Sequence, residues 1–275
     1  MTISEAIDLL KCVECGAAVT LAADRIACTQ CRSAWTQVTG VFDLRPRASL
    51  PLPRMYDDQH YREWNRRLAK AQDYFYKSNP VVSWVQNAGH RAIRAMSAAR
   101  PDALTLDMAC GDGGHRPYMH RPDRVLGVDI DQGSLESYRR RYPESLAVRG
   151  DCYRLPFRDA SFDRVLNIYN LEHLVHLDFA LEEARRVLKD DGVLMVSVPT
   201  EGGLAWTVGR QLTTVRQFGR DGLDYVRANA IDHCNCIWQI EKTIQRHFRV
   251  AERRNFPFFV PSYHVNLITT WSLRK

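Results

Sequence analysis

Short apolar runs alternate with amphipathic stretches from about residue 103 onward. ALTLDMA (103–109), RVLGVDI (124–130), SLAVRGD (145–151), FDRVLNIYN (162–170) and GVLMVSVP (192–199) each have the length and composition of a buried strand. Between them lie SLESYRRRY (134–142) and LDFALEEARRVLK (177–189), which read as helices. RVAERRNFPF (249–258) and HVNLITTWSLRK (264–275) offer two last strands. This alternation predicts an α/β fold with a doubly wound, mainly parallel sheet of seven strands.

Upstream the rhythm differs. Residues 56–100 contain no Gly before Gly89, and Tyr56, Tyr61, Trp64, Leu68, Tyr74, Phe75 and Trp84 are interleaved with Arg and Lys. The stretch predicts at least two helices, split near SNP (78–80). RPRASLPLPR (45–54) holds three prolines and reads as an extended linker. RSAWTQVTGVFDLRP (32–46) suggests a strand, a turn at Gly40 and a boundary at Pro46. The expected division is a small module over 1–45, a linker and helical cap over 46–100, and a main domain over 101–275. Residues 201–232 intervene between the fifth strand and the next helix.

The first module carries its own chemistry. Cys12-x2-Cys15 and Cys28-x2-Cys31, twelve residues apart, present four thiolates with the spacing of a tetrahedral structural Zn²⁺ site. So small a unit cannot be stabilised by burial alone, and metal binding would supply much of its folding energy. Four of the eight cysteines lie here, and the first residues lack the long apolar core of a signal peptide, so metal is favoured over disulfides. With no apolar run near the ~18 residues of a membrane span, a cytoplasmic location is expected. The net charge is +6, but residues 1–55 hold six Lys/Arg against five Asp/Glu, whereas residues 60–100 hold eight against two. The basic excess therefore does not sit on the cysteine module.

Ligands of doubly wound sheets bind at the carboxyl ends of the strands. After the first strand comes LDMACGDGGH (106–115), with Asp107 at the strand end and Gly111, Gly113 and Gly114 in a tight turn. No Gly-Lys-Ser/Thr follows, so it is not a phosphate-binding P-loop, although another nucleotide-binding turn would fit. Asp129 ends the second strand, 22 residues beyond Asp107, where a carboxylate can accept both hydroxyls of a ribose. Asp151 ends the third and could accept from an adenine amino group. Three acceptors on successive strand ends describe a nucleoside without phosphate.

LDMACGDGG, GVDID, GDCYRLPF, SFDRVLNIYNLEHL and EEARRVLKDDGVLMVSVP, in this order, resemble the class I S-adenosylmethionine-dependent methyltransferases, well over residues 100–200 and loosely elsewhere. The resemblance implies a Rossmann-like methyltransferase fold with a small N-terminal zinc ribbon, and S-adenosylmethionine as cofactor beside structural Zn²⁺. It implies that Asp107 and Gly111–Gly113 line the methionine part, that Asp129 holds the ribose hydroxyls with Ile130 on adenine, and that Asp151 and Cys152 meet the adenine edge. Asn167 and Ile168 would close the floor. The chain departs from the family at Ala109, where Gly is usual.

Methyl transfer mostly needs alignment, with a general base where the nucleophile is oxygen or nitrogen. His173 in NLEHL and His233 in DHCNCIW are the candidate catalytic residues, with Tyr169 and Asn170 as further pocket candidates. In the resembling family, insertions like 201–232 cover the substrate, and Arg210, Arg216, Arg220 and Arg227 could grip an anionic group. Cys234 and Cys236 are poorly spaced for a second metal.

The expected function is methyl transfer to a small-molecule, sugar or lipid-type acceptor. The alternative is ribosomal-RNA guanine methylation, since some enzymes of that kind also carry a four-cysteine module. The nearly neutral module weakens the RNA reading, and the basic stretch at 60–100 keeps it alive. WTQVTGVFDL (35–44) also resembles small zinc-binding activators of methyltransferases, which suggests a fused stabilising module. A binding protein without activity is a third class, disfavoured by the near-complete motif. The sequence does not specify the oligomeric state.

Overall fold

The computed structural model describes residues 2–22, 24–48, 50, 66, 67, 71, 78–220 and 222–275. Most of residues 56–77, where helix is expected, and half of the proline linker lie outside these residues.

The seven expected strands all form and join one sheet. They are β5 (Thr105–Met108), β6 (Val125–Asp129), β7 (Ala147–Arg149), β8 (Phe162–Ile168), β9 (Leu188–Pro199), β10 (Arg249–Phe256) and β11 (Ile268–Arg274). Their order is β10-β11-β9-β8-β5-β6-β7. β7, β6, β5, β8 and β9 are parallel to one another, while β11 runs antiparallel to both β9 and β10. The chain reverses its direction of growth at β5, so the crevice for a ligand opens beyond the carboxyl ends of β5 and β8.

Both faces of the sheet are covered, which is why the central strands read as continuous apolar runs. On one face α2 (Pro80–Met96) sets Ile93 and Met96 against Leu166, Ile168 and Met195. It starts where SNP predicts: Asn79 Oδ1 accepts from the amides of Val81 and Val82 at 3.1 and 3.2 Å, and Pro80 takes the first helical position. On the other face α4 (Leu177–Val187) and α8 (Ile237–His247) pack Leu181, Ala184, Ile240 and Ile244 against Leu106, Val165 and Val196. α3 (Gln132–Arg141) follows β6.

The N-terminal module is a four-stranded antiparallel sheet of β1 (Val19–Ala22), β2 (Arg25–Cys28), β3 (Ala34–Val38) and β4 (Val41–Phe42), preceded by the short α1 (Ile3–Ala6). Its Ala6, Leu10, Phe42 and Leu44 share one core with Leu155 and Phe157 of the main domain. Backbone bonds reinforce the seam: Lys11 N donates to Pro156 O (3.0 Å), Arg158 N to Leu9 O (2.8 Å) and Leu44 N to Arg149 O (2.8 Å). Asp43 thereby bridges to Arg149 on the otherwise open edge of β7.

After β9 the chain runs through α5 (Leu204–Arg210), a wider turn over Gln211–Val215 and α6 (Arg216–Arg220), then α7 (Tyr225–Asp232). Among the described residues no helix is long and apolar enough to cross a membrane.

Candidate active site

The turn after β5 is built from left-handed residues: Ala109 (φ 65°), Gly111 (φ 54°) and Gly113 (φ 83°). The two glycines serve different ends. A Cβ on Gly111 would meet nothing, whereas one on Gly113 would lie 2.7 and 2.8 Å from the rings of Tyr142 and Tyr138. Gly113 is thus needed for close packing on α3 and does not line the site. Ala109 adopts its conformation at a cost of about 1 kcal/mol.

Two carboxylates are held at the strand ends by backbone amides. Asp129 Oδ2 accepts from Gly111 N and Oδ1 from Asp131 N, both at 2.8 Å. Asp151 Oδ1 accepts from Tyr153 N at 2.9 Å. Burial raises the pKa of both, against these amide bonds. Ala109, Asp129, Ile130, Asp151, Cys152, Asn170 and His173 line a cavity of about 220 Å³, together with Tyr153, Leu174, Val175 and Asp232. Three carboxylates and no Lys or Arg face it. With Asp232 paired to His173, the remaining acceptors, Asp129 and Asp151, suit the hydroxyl and amino groups of a nucleoside and disfavour phosphate.

Besides Gly113, the expected residues Gly111, Asp107, Asn167 and Ile168 fall elsewhere than the wall, Ile168 in the core under α2. Gly111 supports Asp129 through its amide. Asp107 lies behind the wall, and burial together with neighbouring Asp129, opposed by Arg116, pushes its pKa up to about 7. Asn167 is 1% exposed and pairs in register with Met108 and Val196 of the core. Neither atom of its amide has a partner among the described residues. The floor at the end of β8 is formed instead by Asn170 and, in the neighbouring cavity, Tyr169.

That second cavity, about 380 Å³, lies between α2 and the Leu204–Val215 segment. Val81, Val82, Val85, Trp206 and Ile268 make it apolar, and its polar end collects Glu172, His173, Asp232, His233 and Arg210. His173 and Asp232 line both cavities. His173 Nδ1 lies 3.1 Å from Asp232 O and 3.3 Å from Asp232 Oδ2. Burial works against the imidazolium, but Asp232, with help from Glu172, raises its pKa to about 9. His173 is therefore protonated at neutral pH and is not free to take a proton there.

His233 sits between α7 and α8, its ring 4.5 Å from that of His173 and nearly perpendicular to it. Its Nδ1 is 2.7 Å from Glu201 Oε1. Arg210 Nη1 donates to both oxygens of Glu201 at 2.9 and 3.1 Å, and Asn229 Nδ2 to Oε1 at 3.3 Å. Burial raises the pKa of Glu201, but His233 and Arg210 outweigh it, and Glu201 stays ionised. A carboxylate on Nδ1–H leaves Nε2 as the basic nitrogen. Glu172 is buried, its Oε2 has no partner among the described residues, and burial raises its pKa.

Of the four candidate arginines, Arg210 reaches the cavity but is engaged by Glu201, and Arg216, Arg220 and Arg227 do not line it. Cys234 donates to Glu172 O and Cys236 caps α8, and among the described residues neither belongs to a metal-competent cluster. The four N-terminal thiols converge, with all Sγ atoms within 4.8 Å of one another and the Cys12–Cys31 and Cys15–Cys28 pairs at 3.6 and 3.5 Å. Tetrahedral Zn–S bonds of about 2.3 Å demand S···S distances of about 3.8 Å, so the cluster fits that ion.

Residues 106–196 match the methyltransferase domain family. A demethylmenaquinone methyltransferase from Streptomyces griseus is 32% identical over 142 residues, which is 50% of this chain and 60% of that protein. A phthiotriol/phenolphthiotriol dimycocerosates methyltransferase from Mycobacterium tuberculosis is 33% identical over 42% of this chain and 45% of its own length. The chain spans about half the length of the curated relatives it matches. An S-adenosylmethionine-dependent methyltransferase from Mesorhizobium loti has the same fold, with TM-score 0.51 and 17% identity over 69% of this chain and all of that one.

Proposed function

We propose that this chain, whose residues 106–196 belong to the methyltransferase domain family, is a class I S-adenosylmethionine-dependent methyltransferase acting on an apolar, hydroxyl-bearing small-molecule or lipid-type acceptor. The observation that carries this reading is the meeting of two cavities, one acidic and one apolar, at His173 and Asp232.

S-adenosylmethionine, when bound, supplies a methyl group already activated on a positively charged sulfur. Asp129 would hold the ribose hydroxyls with lone pairs left over from its two amide bonds. Ile130, half exposed, would pack on adenine, and Asp151 would accept from its amino group. The carboxylates that line the cleft, Asp129 among them, favour positive charge there. His233, oriented by Glu201, is the group placed to take the acceptor's proton. His173 and Asp232 form a neutral pair that fixes the wall between donor and acceptor. The apolar side chains of α2 and the Leu204–Val215 segment would hold the rest of the acceptor and exclude water.

The four-cysteine cluster would hold structural Zn²⁺, remote from the reacting atoms. We do not favour the RNA alternative, because the cysteine module docks on the main domain.

The test is transfer of labelled methyl to parallel panels of lipid phenols or quinols, sugars and ribosomal RNA fragments, with products read by mass spectrometry. O-methylated apolar product is expected. Methylated RNA alone would overturn the reading.

A further inference from the structure

The surface beside the mouth of the apolar cavity is itself apolar. On α5 and the turn that continues it, Leu204, Val208 and Leu212 follow at i, i+4 and i+8 and are 64%, 54% and 57% exposed. The loop after β10 presents Phe258, Phe259 and Val260, with Phe259 97% exposed. A backbone bond from Ala205 N to His264 O, 2.8 Å, holds loop and helix side by side. Val81, 68% exposed, lines the cavity, and Gly209 and Thr213 of the same rod line it too, so the cavity opens beside this surface.

The outer face of the same rod continues at the same spacing into Arg216 and Arg220, both exposed. Among the described residues neither has an acidic partner within ion-pair distance. An apolar stripe running into arginines is the composition of a helix that lies in a lipid–water interface. Contiguous exposed apolar surface of this kind marks an interaction site. Charge decides what occupies it: pairing with a second copy would bring two arginine-bearing faces together, whereas an anionic lipid surface neutralises them.

We propose that this face docks on the surface of an anionic bilayer and lets the acceptor enter the cavity from the lipid. The entry of the acceptor rests on the reading of the cavity given above, but the docking does not, because it is measured without cofactor or acceptor.

The experiment is flotation of the full chain with vesicles of phosphatidylcholine alone or mixed with phosphatidylglycerol. Binding to the mixed vesicles is expected, weakening with salt. The double variant Phe259→Ser, Leu212→Ser should lose about tenfold in partition, and Arg216→Gln or Arg220→Gln roughly fivefold each. None of these residues lines either cavity, so affinity for S-adenosylhomocysteine should be unchanged in all three variants, which controls for folding. Absence of vesicle binding would overturn the proposal. So would a concentration-dependent dimer abolished by Phe259→Ser, which would assign the face to a second copy. Vesicle binding without methyl transfer to any apolar acceptor would leave the docking intact and remove the function proposed for the cavity.

Discussion

His173 Nδ1 stands 3.3 Å from Asp232 Oδ2, and these two side chains, 59 residues apart, face both the acidic cavity and the apolar one. On the proposed reading, the pair is a partition between a donor site and an acceptor site. Its charge state is set by Asp232, which holds the imidazole protonated up to about pH 9.

A raised histidine pKa has a definite sign in stability. The contribution of the pair is complete below the ordinary value of 6.5 and is lost as pH rises through about 9. Thermal melts between pH 7 and 10 should show a decline that His173→Gln flattens. An unchanged slope in the variant would remove this pair as its source.

His233 and Glu201 are expected to act as one unit. His233→Ala should lower kcat by about a hundredfold with little change in affinity for S-adenosylhomocysteine, and Glu201→Gln should lower it less. Equal and small effects in both variants would exclude proton transfer through His233.

On the proposed reading, Asp129 is the main grip on the ribose. Replacing it with Ala removes two charge-assisted hydrogen bonds and should cost about 2 kcal/mol, roughly 30-fold in affinity. Calorimetry with S-adenosylhomocysteine reads this directly, and wild-type affinity in the variant would move the nucleoside elsewhere.

Acid should loosen the same site from the other side. His90 and His115 meet Nδ1 to Nδ1 at 2.9 Å, joining α2 to the glycine-rich turn. Burial lowers both pKa values, that of His90 to about 4 with help from Arg91. The unfolded chain takes up protons first, so stability is lost as pH falls from about 6.5 toward 4. Melts over that range should show the loss in wild type and less of it in His90→Asn.

Ala109→Gly should relieve the left-handed strain at φ 65° and raise stability in urea titration by up to about 1 kcal/mol, less the extra chain entropy that glycine loses on folding.

The strands were legible because each is buried on both faces, so its apolar run is uninterrupted. Asp129 and Asp151 were legible because they end such runs. Asp232 and Glu201 were not: they come from a segment whose position depends on tertiary packing against Glu172 and His173, with no periodic signal of its own. Asn167 misled for a related reason. It lies near a strand end, as a ligand residue would, but its register partners Met108 and Val196 draw it into the core. The tripeptide SNP marked the start of α2 correctly, because capping is a local interaction.

The seam between the cysteine module and the main domain has a consequence for synthesis. All four thiols have left the ribosome once residue 31 has emerged, so a metal could load before the main domain is made. The surface that closes over Leu10 and Leu44 is supplied by residues 149–158, more than a hundred residues later. At roughly 5–20 residues per second, the module waits some seconds with its apolar underside uncovered. Of the two units, the one made earlier stays open until the later one supplies its cover, and chaperones can reach its underside throughout that interval.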